Sequence, residues 1–281
     1  MIDLHMHSTF SDGSCAPGEL VDMAADIGLK AIALTDHDTI DGVGEFMQAA
    51  AVRGIAAVSG VEFSAEYSPG TMHILGYGVD IENDELCERL AWVREQRANR
   101  NVHILEKLNA LGLELSWDEI AAYAGTDVVG RPHFAQAMIA RGYCSDKQEV
   151  FDKYLAKGQR AYVDRTRLAP DECIALIRSA GGVAVLAHPT SLKLTPAKLR
   201  AQIVDLLALG LGGLECYYSK FSPVERAQVL ALAQEFDLLV TGGTDFHGAG
   251  SPKVRMGVGF GSLAVADELY ESLRAALQGH G

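Results

Sequence analysis

The chain has 281 residues, of which 48% are hydrophobic, and carries a formal net charge of −13 at pH 7. This composition supplies a large buried core, for one domain or one domain with an insertion. The acidic balance argues against binding long duplex nucleic acid, which requires a basic face. The five cysteines form no CxxC pair, which favours reduced thiols and a cytoplasmic location. No apolar stretch is long enough to predict a membrane span.

Short apolar runs alternate with amphipathic stretches along most of the chain. Strands are predicted in the opening IDLHMH segment and at residues 30–38, 54–64, 71–80, 181–189, 210–218 and 238–248. Helices are predicted between them at residues 19–28, 43–54, 199–210 and 224–237. Strand–helix alternation is typical of a parallel sheet, and six or seven such units predict a (β/α) barrel. An open doubly wound sheet is the alternative.

The alternation stops in the middle of the chain. Residues 86–112 form one long helical pattern, and shorter helical patterns follow at residues 116–125, 131–142 and 147–158. No buried strand is predicted among them. We therefore expect residues 84–158 to be a helical insertion domain between two parts of an α/β domain, which consists of residues 1–83 and 159–281.

Six of the predicted strands carry a histidine, an aspartate or a glutamate at one end, and in nearly every case this is the carboxyl end. In a parallel barrel the carboxyl ends of the strands meet at the face where active sites are built. Mixed imidazoles and carboxylates suit zinc, manganese or iron rather than calcium. The candidates exceed one coordination shell, so two or three divalent ions are predicted, with manganese as the first choice and iron or zinc as alternatives. The candidate ligands are His5, His7, Asp12, His37, Glu62, His73, His188, Asp245 and His247.

The motifs DLHMHSTFSDG, LTDHD, GVEFS, LAHP and GTDFHG resemble, in order, those of the PHP (polymerase and histidinol phosphatase) family. This resemblance implies a distorted (β/α)7 barrel with three metals and an activity of phosphoester hydrolysis. It assigns the first metal to His5, His7, Glu62 and Asp245. It assigns the second metal to Asp12, His37 and His247, which are also the predicted catalytic residues. It assigns the third metal to Glu62, His73 and His188.

The predicted insertion carries two groups of polar side chains that suit a phosphate. The helical segment EQRANRN contributes the first group, and GRPHFAQ contributes the second at a predicted helix start. Arginine forks match phosphate oxygens, and a helix N-terminus adds backbone donors. A solvated helix face is the alternative for the first group. The predicted substrate-binding residues are Arg97, Asn99, Arg100, Asn101, Arg131 and His133.

The segments R-x-x-R-N, GRPH and YLAKGQRAYV are similar to those of one branch of the PHP family. That branch acts on nucleoside 3′,5′-bisphosphates and on the 5′ ends of short RNAs. The resemblance implies that Arg97, Arg100 and Arg131 hold the 5′-phosphate of the substrate while the metals act at the 3′-phosphorus.

The predicted activity is therefore hydrolysis of the 3′-phosphate of a nucleoside 3′,5′-bisphosphate, which gives the nucleoside 5′-monophosphate. The enzymatic alternatives are a 5′–3′ exoribonuclease on short 5′-phosphorylated RNA, a histidinol-phosphate-type phosphatase and a metallo-amidase. The non-enzymatic alternative is a nucleotide-sensing or polymerase-accessory module, which predicts lost ligands, whereas every ligand position of the motifs is filled. The expected partner is a small nucleotide or a short RNA, with no membrane contact. The oligomeric state stays open.

Overall fold

The strands form two open sheets in the computed structural model, which describes residues 1–123 and 129–279. Residues 124–128 of the predicted insertion, and residues 280–281, lie outside the described residues. The smaller sheet pairs β1 (Ala31–Ala33) in parallel with β2 (Ala56–Val58). The larger sheet has the order β3–β4–β5–β6–β7. Its strands are β3 (Gly60–Ala65), β4 (Met72–Tyr77), β5 (Val183–Leu186), β6 (Gly213–Tyr218) and β7 (Leu239–Gly243).

Helices connect most of these strands. Those before β5 are α1 (Pro17–Asp26), α2 (Val43–Arg53), α3 (Asp84–Ala110), α4 (Trp117–Ala121), α5 (Arg131–Ala140), α6 (Lys147–Val150) and α7 (Pro170–Ser179). Those after it are α8 (Pro196–Leu209), α9 (Pro223–Glu235) and α10 (Asp267–Gln278). A short π-helical turn at Phe151–Leu155 follows α6. No helix in the described part of the chain is long and apolar enough to cross a membrane.

The prediction of a wholly parallel sheet is wrong for β4, which runs antiparallel to both β3 and β5. Only a short connection joins β3 to β4, and a connection of this length returns the chain antiparallel, because a parallel pair needs a long crossover. The strands β5, β6 and β7 are parallel, as predicted, and α8 and α9 provide their crossovers. The fold is therefore α/β, with an antiparallel hairpin at one edge of the larger sheet.

The opening segment does not form the regular strand that was predicted. Asp3 makes one isolated bridge to Ile32 beside β1, and Met6 makes another to Phe246 beyond β7. The segment thus pairs in turn with both sheets, so neither pairing extends into a ladder. The predicted strand at 54–64 is likewise divided into β2 and β3. A closed barrel is not confirmed, since the strands described here belong to two open sheets.

Two compact units make up the chain. The first unit is Met1–Leu90 with Arg167–Gly281, and the second unit is Ala91–Thr166. These divisions lie several residues beyond the predicted boundaries at 83/84 and 158/159, and the first of them falls within α3, whose first turns belong to the first unit. In the first unit, α10 and the apolar side chains of both sheets share a core that includes Ile2, Leu4, Leu75, Val185 and Leu273. In the second unit, helical side chains form a separate core that includes Ile104, Leu108, Phe134, Met138 and Leu155.

Candidate metal centre

The carboxylate of Glu62, on β3, is fully buried and is surrounded by imidazoles. Its oxygen Oε1 lies 2.9 Å from Nδ1 of His73 and 3.0 Å from Nε2 of His188. Its oxygen Oε2 lies 2.9 Å from Nδ1 of His37, 3.3 Å from Nε2 of His7 and 3.4 Å from Nε2 of His5. Five histidines from distant parts of the chain therefore converge on one carboxylate.

Two aspartates continue this cluster away from Glu62. The Oδ1 atom of Asp245 lies 3.2 Å from Nε2 of His7 and 3.6 Å from Nε2 of His5. The Oδ1 atom of Asp12 lies 3.1 Å from Nε2 of His247 and 3.9 Å from the ring nitrogens of His37 and His7. The side chain of Asp12 is 47% exposed, whereas those of Glu62, His5 and His7 are fully buried. Asp12 therefore marks the side of the cluster that faces solvent.

Backbone pairing at the strand ends brings these residues together. The amide of Asp245 donates a hydrogen bond to the carbonyl of His5, and His37 makes an isolated parallel bridge to Glu62. Asp245 and His188 adopt positive φ values of 57° and 26°, although neither is glycine. Such backbone geometry costs free energy outside glycine and is enriched at functional sites. The chain thus holds two of these side chains in place with unusual backbone conformations.

The charges in the cluster strongly favour bound positive charge. Burial lowers the pKa of His7, but the nearby carboxylates of Asp245 and Glu62 raise it by more, so that the pKa is about 10. Burial raises the pKa of Glu62, but the imidazoles of His37, His73 and His5 bring it well below its ordinary range. Carboxylates that retain protons on neighbouring imidazoles also attract metal cations, which compete with those protons.

The donor atoms fit divalent metals. Four buried atoms at the centre of the cluster make no hydrogen bond of acceptable geometry. They are Nε2 of His5, Nε2 of His7, Nδ1 of His37 and Oε2 of Glu62. Buried polar atoms are seldom left in this way in proteins, and unpaired atoms of this kind call for an explanation such as a bound ion. Imidazole nitrogens with carboxylate oxygens, and no cysteine, suit zinc, manganese or iron.

Four overlapping groups of these side chains have donor atoms within 4.8 Å of one another. The groups are His5–His7–Asp245, His5–Glu62–His188, His37–Glu62–His73 and His7–Asp12–His37–His247. All nine predicted ligands belong to at least one group. The groups resemble the predicted sets, but His5, His7 and His37 are each shared between two groups. Such sharing follows from side-chain packing that the motifs alone do not contain.

Sequence reasoning missed three buried carboxylates that support the ligands. Glu215 accepts hydrogen bonds from the ring of His5 and from the amide of His188. Asp36 accepts from Ser8 and Ser11, which flank the turn after His7. Asp3 accepts from the amides of His5, Thr244 and Gly257. A single charged residue within an apolar strand, as in GLECYY, was the available signal for Glu215.

Aromatic and basic side chains adjoin Asp245. The hydroxyl of Tyr218 donates to Oδ2 of Asp245 at 3.0 Å, and Nζ of Lys220 lies 4.0 Å from the same oxygen. The Lys220 ammonium also lies 5.6 Å from the centroid of the Tyr218 ring. These contacts orient the carboxylate, so that Oδ1 faces His5 and His7.

The predicted phosphate-binding residues of α3 lie in the second unit and differ in burial. Arg100 and Asn101 are buried, and the Arg100 guanidinium donates to Oδ1 of Asn101 at 2.8 and 3.1 Å. The side-chain amide of Asn101 donates to the carbonyl of Val129 at 2.7 Å. Asn99 is exposed, and Arg97 is half-buried. Asn101 therefore fastens the Arg100 side chain to the segment that precedes α5.

The predicted residues at the start of α5 also make defined contacts within the second unit. Nη1 of Arg131 donates to the carbonyl of Leu155 at 3.1 Å. Its guanidinium carbon lies 5.9 Å from the ring centroid of Phe151 and 5.6 Å from that of Tyr162. Nδ1 of His133 accepts from the amide of Gly130 at 3.1 Å and so caps the helix. The orientation of the Arg131 guanidinium is thus set by two aromatic rings and one hydrogen bond.

The PHP domain family profile matches residues 3–122. The 3′,5′-nucleoside bisphosphate phosphatase of Chromobacterium violaceum is 34% identical over 250 residues, which cover 89% of this chain and 88% of that protein. The 5′–3′ exoribonuclease of Haemophilus influenzae is 36% identical over 245 residues, with 87% and 89% of the two chains covered.

A solved structure extends the similarity to the fold. A protein of Bifidobacterium adolescentis described as a metal-dependent phosphoesterase superposes with a TM-score of 0.83. Its sequence is 30% identical, and the match covers 98% of this chain and 95% of that one. Sequence and fold therefore agree over almost the whole length, and both agree with the donor chemistry of the cluster. The chain belongs to the PHP family and is a metal-dependent hydrolase of phosphoric esters.

Proposed function

We propose that this protein removes the 3′-phosphate of nucleoside 3′,5′-bisphosphates and releases the nucleoside 5′-monophosphate and phosphate. The observation that carries the proposal is the set of four overlapping donor groups around Glu62, which suits more than one cation. A phosphatase of this specificity is also among the relatives that match over most of the chain. We take adenosine 3′,5′-bisphosphate as the reference substrate.

Two or three divalent ions are the proposed cofactors, with manganese first and iron or zinc as alternatives. The nine ligands named above would hold them, and Glu62 would serve two ions because its two oxygens face different histidines. Ions in such a site supply Lewis acidity toward the phosphoryl oxygens and activate water as the nucleophile.

The proposed catalytic residues lie on the side of the cluster that faces solvent. The side chains of His37 and His247 are 16% and 15% exposed, and both lie beside the half-exposed Asp12. A phosphate that approaches from this side would reach these three side chains before the fully buried His5, His7 and Glu62. We propose that an imidazole of His37 or His247 contacts the phosphate or assists proton transfer, and that Asp12 orients His247 through their 3.1 Å contact.

Substrate choice is assigned to the second unit. Arg97, Arg100 and Arg131 would bind the 5′-phosphate, with Asn99, Asn101 and His133 as supporting residues. A guanidinium presents planar N–H donors that match phosphate oxygens. The contacts that hold Arg131 against its aromatic neighbours reduce the entropy that such a side chain loses when it binds an anion.

The deciding experiment compares kcat/KM on protein reconstituted with Mn²⁺. The substrates are adenosine 3′,5′-bisphosphate, adenosine 3′-monophosphate, histidinol phosphate and a short 5′-phosphorylated RNA. We expect the bisphosphate to exceed the 3′-monophosphate by about 10- to 100-fold, because one charge-assisted contact to the 5′-phosphate contributes about 1.5–3 kcal/mol. Equal rates for the two adenosine substrates would contradict the role given to the 5′-phosphate, and a preference for histidinol phosphate would refute the proposed substrate class.

A 5′–3′ exoribonuclease is the second candidate, since a relative of that name matches over a similar share of the chain. It would bind the 5′-phosphate of the RNA through the same contact. The group at the metal cluster would then be a phosphodiester rather than a phosphomonoester. If the RNA is cleaved stepwise from its 5′ end as efficiently as the bisphosphate is hydrolysed, the exoribonuclease is the better description of the protein.

A further inference from the structure

Glu215 is a buried carboxylate beneath the metal cluster that belongs to none of the four donor groups. It lies on β6 between Leu214 and Cys216, both of which are fully buried. Its oxygen Oε1 lies 2.8 Å from Nδ1 of His5, and its oxygen Oε2 accepts the amide N–H of His188 at 2.7 Å. One carboxylate therefore contacts two members of the His5–Glu62–His188 group.

The first contact determines which nitrogen of His5 can bind a cation. A carboxylate is an acceptor, so the facing Nδ1 atom carries the ring proton. Nε2 of His5 then keeps its lone pair, and it points toward Oε2 of Glu62 at 3.4 Å and Oδ1 of Asp245 at 3.6 Å. The opposite tautomer would direct an N–H into the cluster and could not ligate a metal through Nε2.

The second contact supports the backbone of His188. This residue has φ of 26° and precedes a short helical turn at Pro189–Leu192. Its Nδ1 lies 3.0 Å from Oγ of Ser191, and its Nε2 faces Oε1 of Glu62 at 3.0 Å. A cation ligated by both side chains would displace the proton from Nε2. The Glu215 carboxylate holds the amide of His188 in this unusual backbone conformation, which aims the ring at Glu62.

We propose that Glu215 is a positioning residue that sets the tautomer of His5 and the backbone of His188, so that Nε2 of each histidine can ligate a cation. A glutamine cannot replace it, because an amide has only one acceptor oxygen. If that oxygen accepts from His188, the amide NH₂ faces Nδ1 of His5 and selects the wrong tautomer. If it accepts from His5, the NH₂ opposes the N–H of His188. The proposal requires cation binding but does not depend on the substrate.

The test compares the wild-type protein, Glu215→Gln and Cys216→Ala. Cys216 is the matched control, since it is buried on the same strand and its thiol donates to the carbonyl of Leu214 rather than to a ligand. The first measurement is the NMR signal of the His5 Nδ1 proton in protein loaded with Zn²⁺, assigned by its absence in His5→Gln. The second is the stoichiometry and affinity of Zn²⁺ and Mn²⁺, measured by competition with a chelator. Thermal unfolding of the metal-free proteins reports whether the fold is retained.

We expect Glu215→Gln to shift or remove the Nδ1 signal and to weaken the binding of the ions that His5 and His188 hold by about 10- to 100-fold, the usual effect of losing an outer partner of a ligand. The remaining ions should bind with wild-type affinity. Cys216→Ala should have the wild-type Nδ1 signal and the wild-type stoichiometry and affinity for every ion. An unchanged signal with unchanged affinities would overturn the proposal, and so would equal weakening of every ion. If the glutamine variant does not fold, Glu215→Asp, whose carboxylate is one methylene shorter, is measured in the same way, and it should weaken the same ions.

Discussion

Nδ1 of His73 lies 2.9 Å from Oε1 of Glu62, although His73 is near the start of its strand and Glu62 precedes the end of its own. The antiparallel register explains this contact, because His73 pairs directly with Ser64, two residues after Glu62. Residues two apart on one strand share a face, and diagonal neighbours on paired strands are within reach of long side chains. The β3–β4 hairpin therefore brings a carboxylate and an imidazole to one site.

Replacement of Glu62 by glutamine should remove the centre of the cluster. Five imidazoles lie within 3.4 Å of this carboxylate, and an amide lacks the negative charge that holds cations among them. Since the loss of an outer partner already weakens metal binding about 10- to 100-fold, we expect kcat/KM to fall by more than about 100-fold, with fewer ions bound. Metal analysis and steady-state kinetics provide the measurement.

The control for this variant is Glu66→Gln, which makes the same change of charge at an exposed residue just beyond β3. It should retain the full metal content and activity. Full metal content in Glu62→Gln would show that Glu62 is not the bridge between the donor groups.

Most of the candidate ligands could be predicted from sequence, because each of these is a histidine or a carboxylate at the end of an apolar run. The sheet could not, since alternation of strands and helices does not distinguish a parallel strand from the antiparallel strand that contains His73. Glu215 was missed because one charged residue in an apolar strand is also compatible with a local ion pair. The shared membership of His5 and His7 in two donor groups depends on side-chain packing, which periodicity does not encode.

The pH dependence of stability should reverse between the metal-free and the metal-loaded protein. The pKa of His7 is raised from 6.5 to about 10 by Asp245 and Glu62, so the metal-free folded state binds its proton more tightly than the unfolded chain does. This contribution is complete below pH 6.5 and is lost as the pH rises toward 10. In the metal-free protein, the free energy of unfolding should therefore fall between pH 6.5 and pH 8.5.

With Mn²⁺ bound the trend should be the opposite, because the ligands must lose their protons to coordinate the ion. Urea unfolding across this pH interval, in the presence of chelator and then of Mn²⁺, measures both trends. Parallel pH profiles in the two conditions would show that protons and metal do not compete for the cluster.

Gly243, at the end of β7, is required by the close approach of His5. A Cβ atom at this position would lie 2.4 Å from both the backbone nitrogen and Cβ of His5, and 2.9 Å from Oδ1 of Asp3. Gly243→Ala should therefore displace His5, lower the free energy of unfolding by about 1–3 kcal/mol and weaken metal binding. Gly44→Ala is the control, because a Cβ at Gly44 in α2 meets no atom within 4 Å beyond its chain neighbours and the backbone of its own helix, and alanine favours the helix. Denaturant titration and chelator competition test both variants, and wild-type metal affinity in Gly243→Ala would contradict the argument.

Arg131→Ala should change substrate preference without changing the cluster. If the guanidinium held beside Phe151 and Tyr162 binds the 5′-phosphate, its loss should lower kcat/KM for adenosine 3′,5′-bisphosphate by about 10- to 100-fold, as expected for a charge-assisted contact. The rate with adenosine 3′-monophosphate, which has no 5′-phosphate, should stay as in wild type. Arg141→Ala removes the same charge from an exposed arginine of the second unit that pairs with Glu119, and it should leave both rates unchanged. An equal decrease in kcat/KM for both substrates in Arg131→Ala would indicate that this arginine supports the structure of the second unit and does not bind the 5′-phosphate.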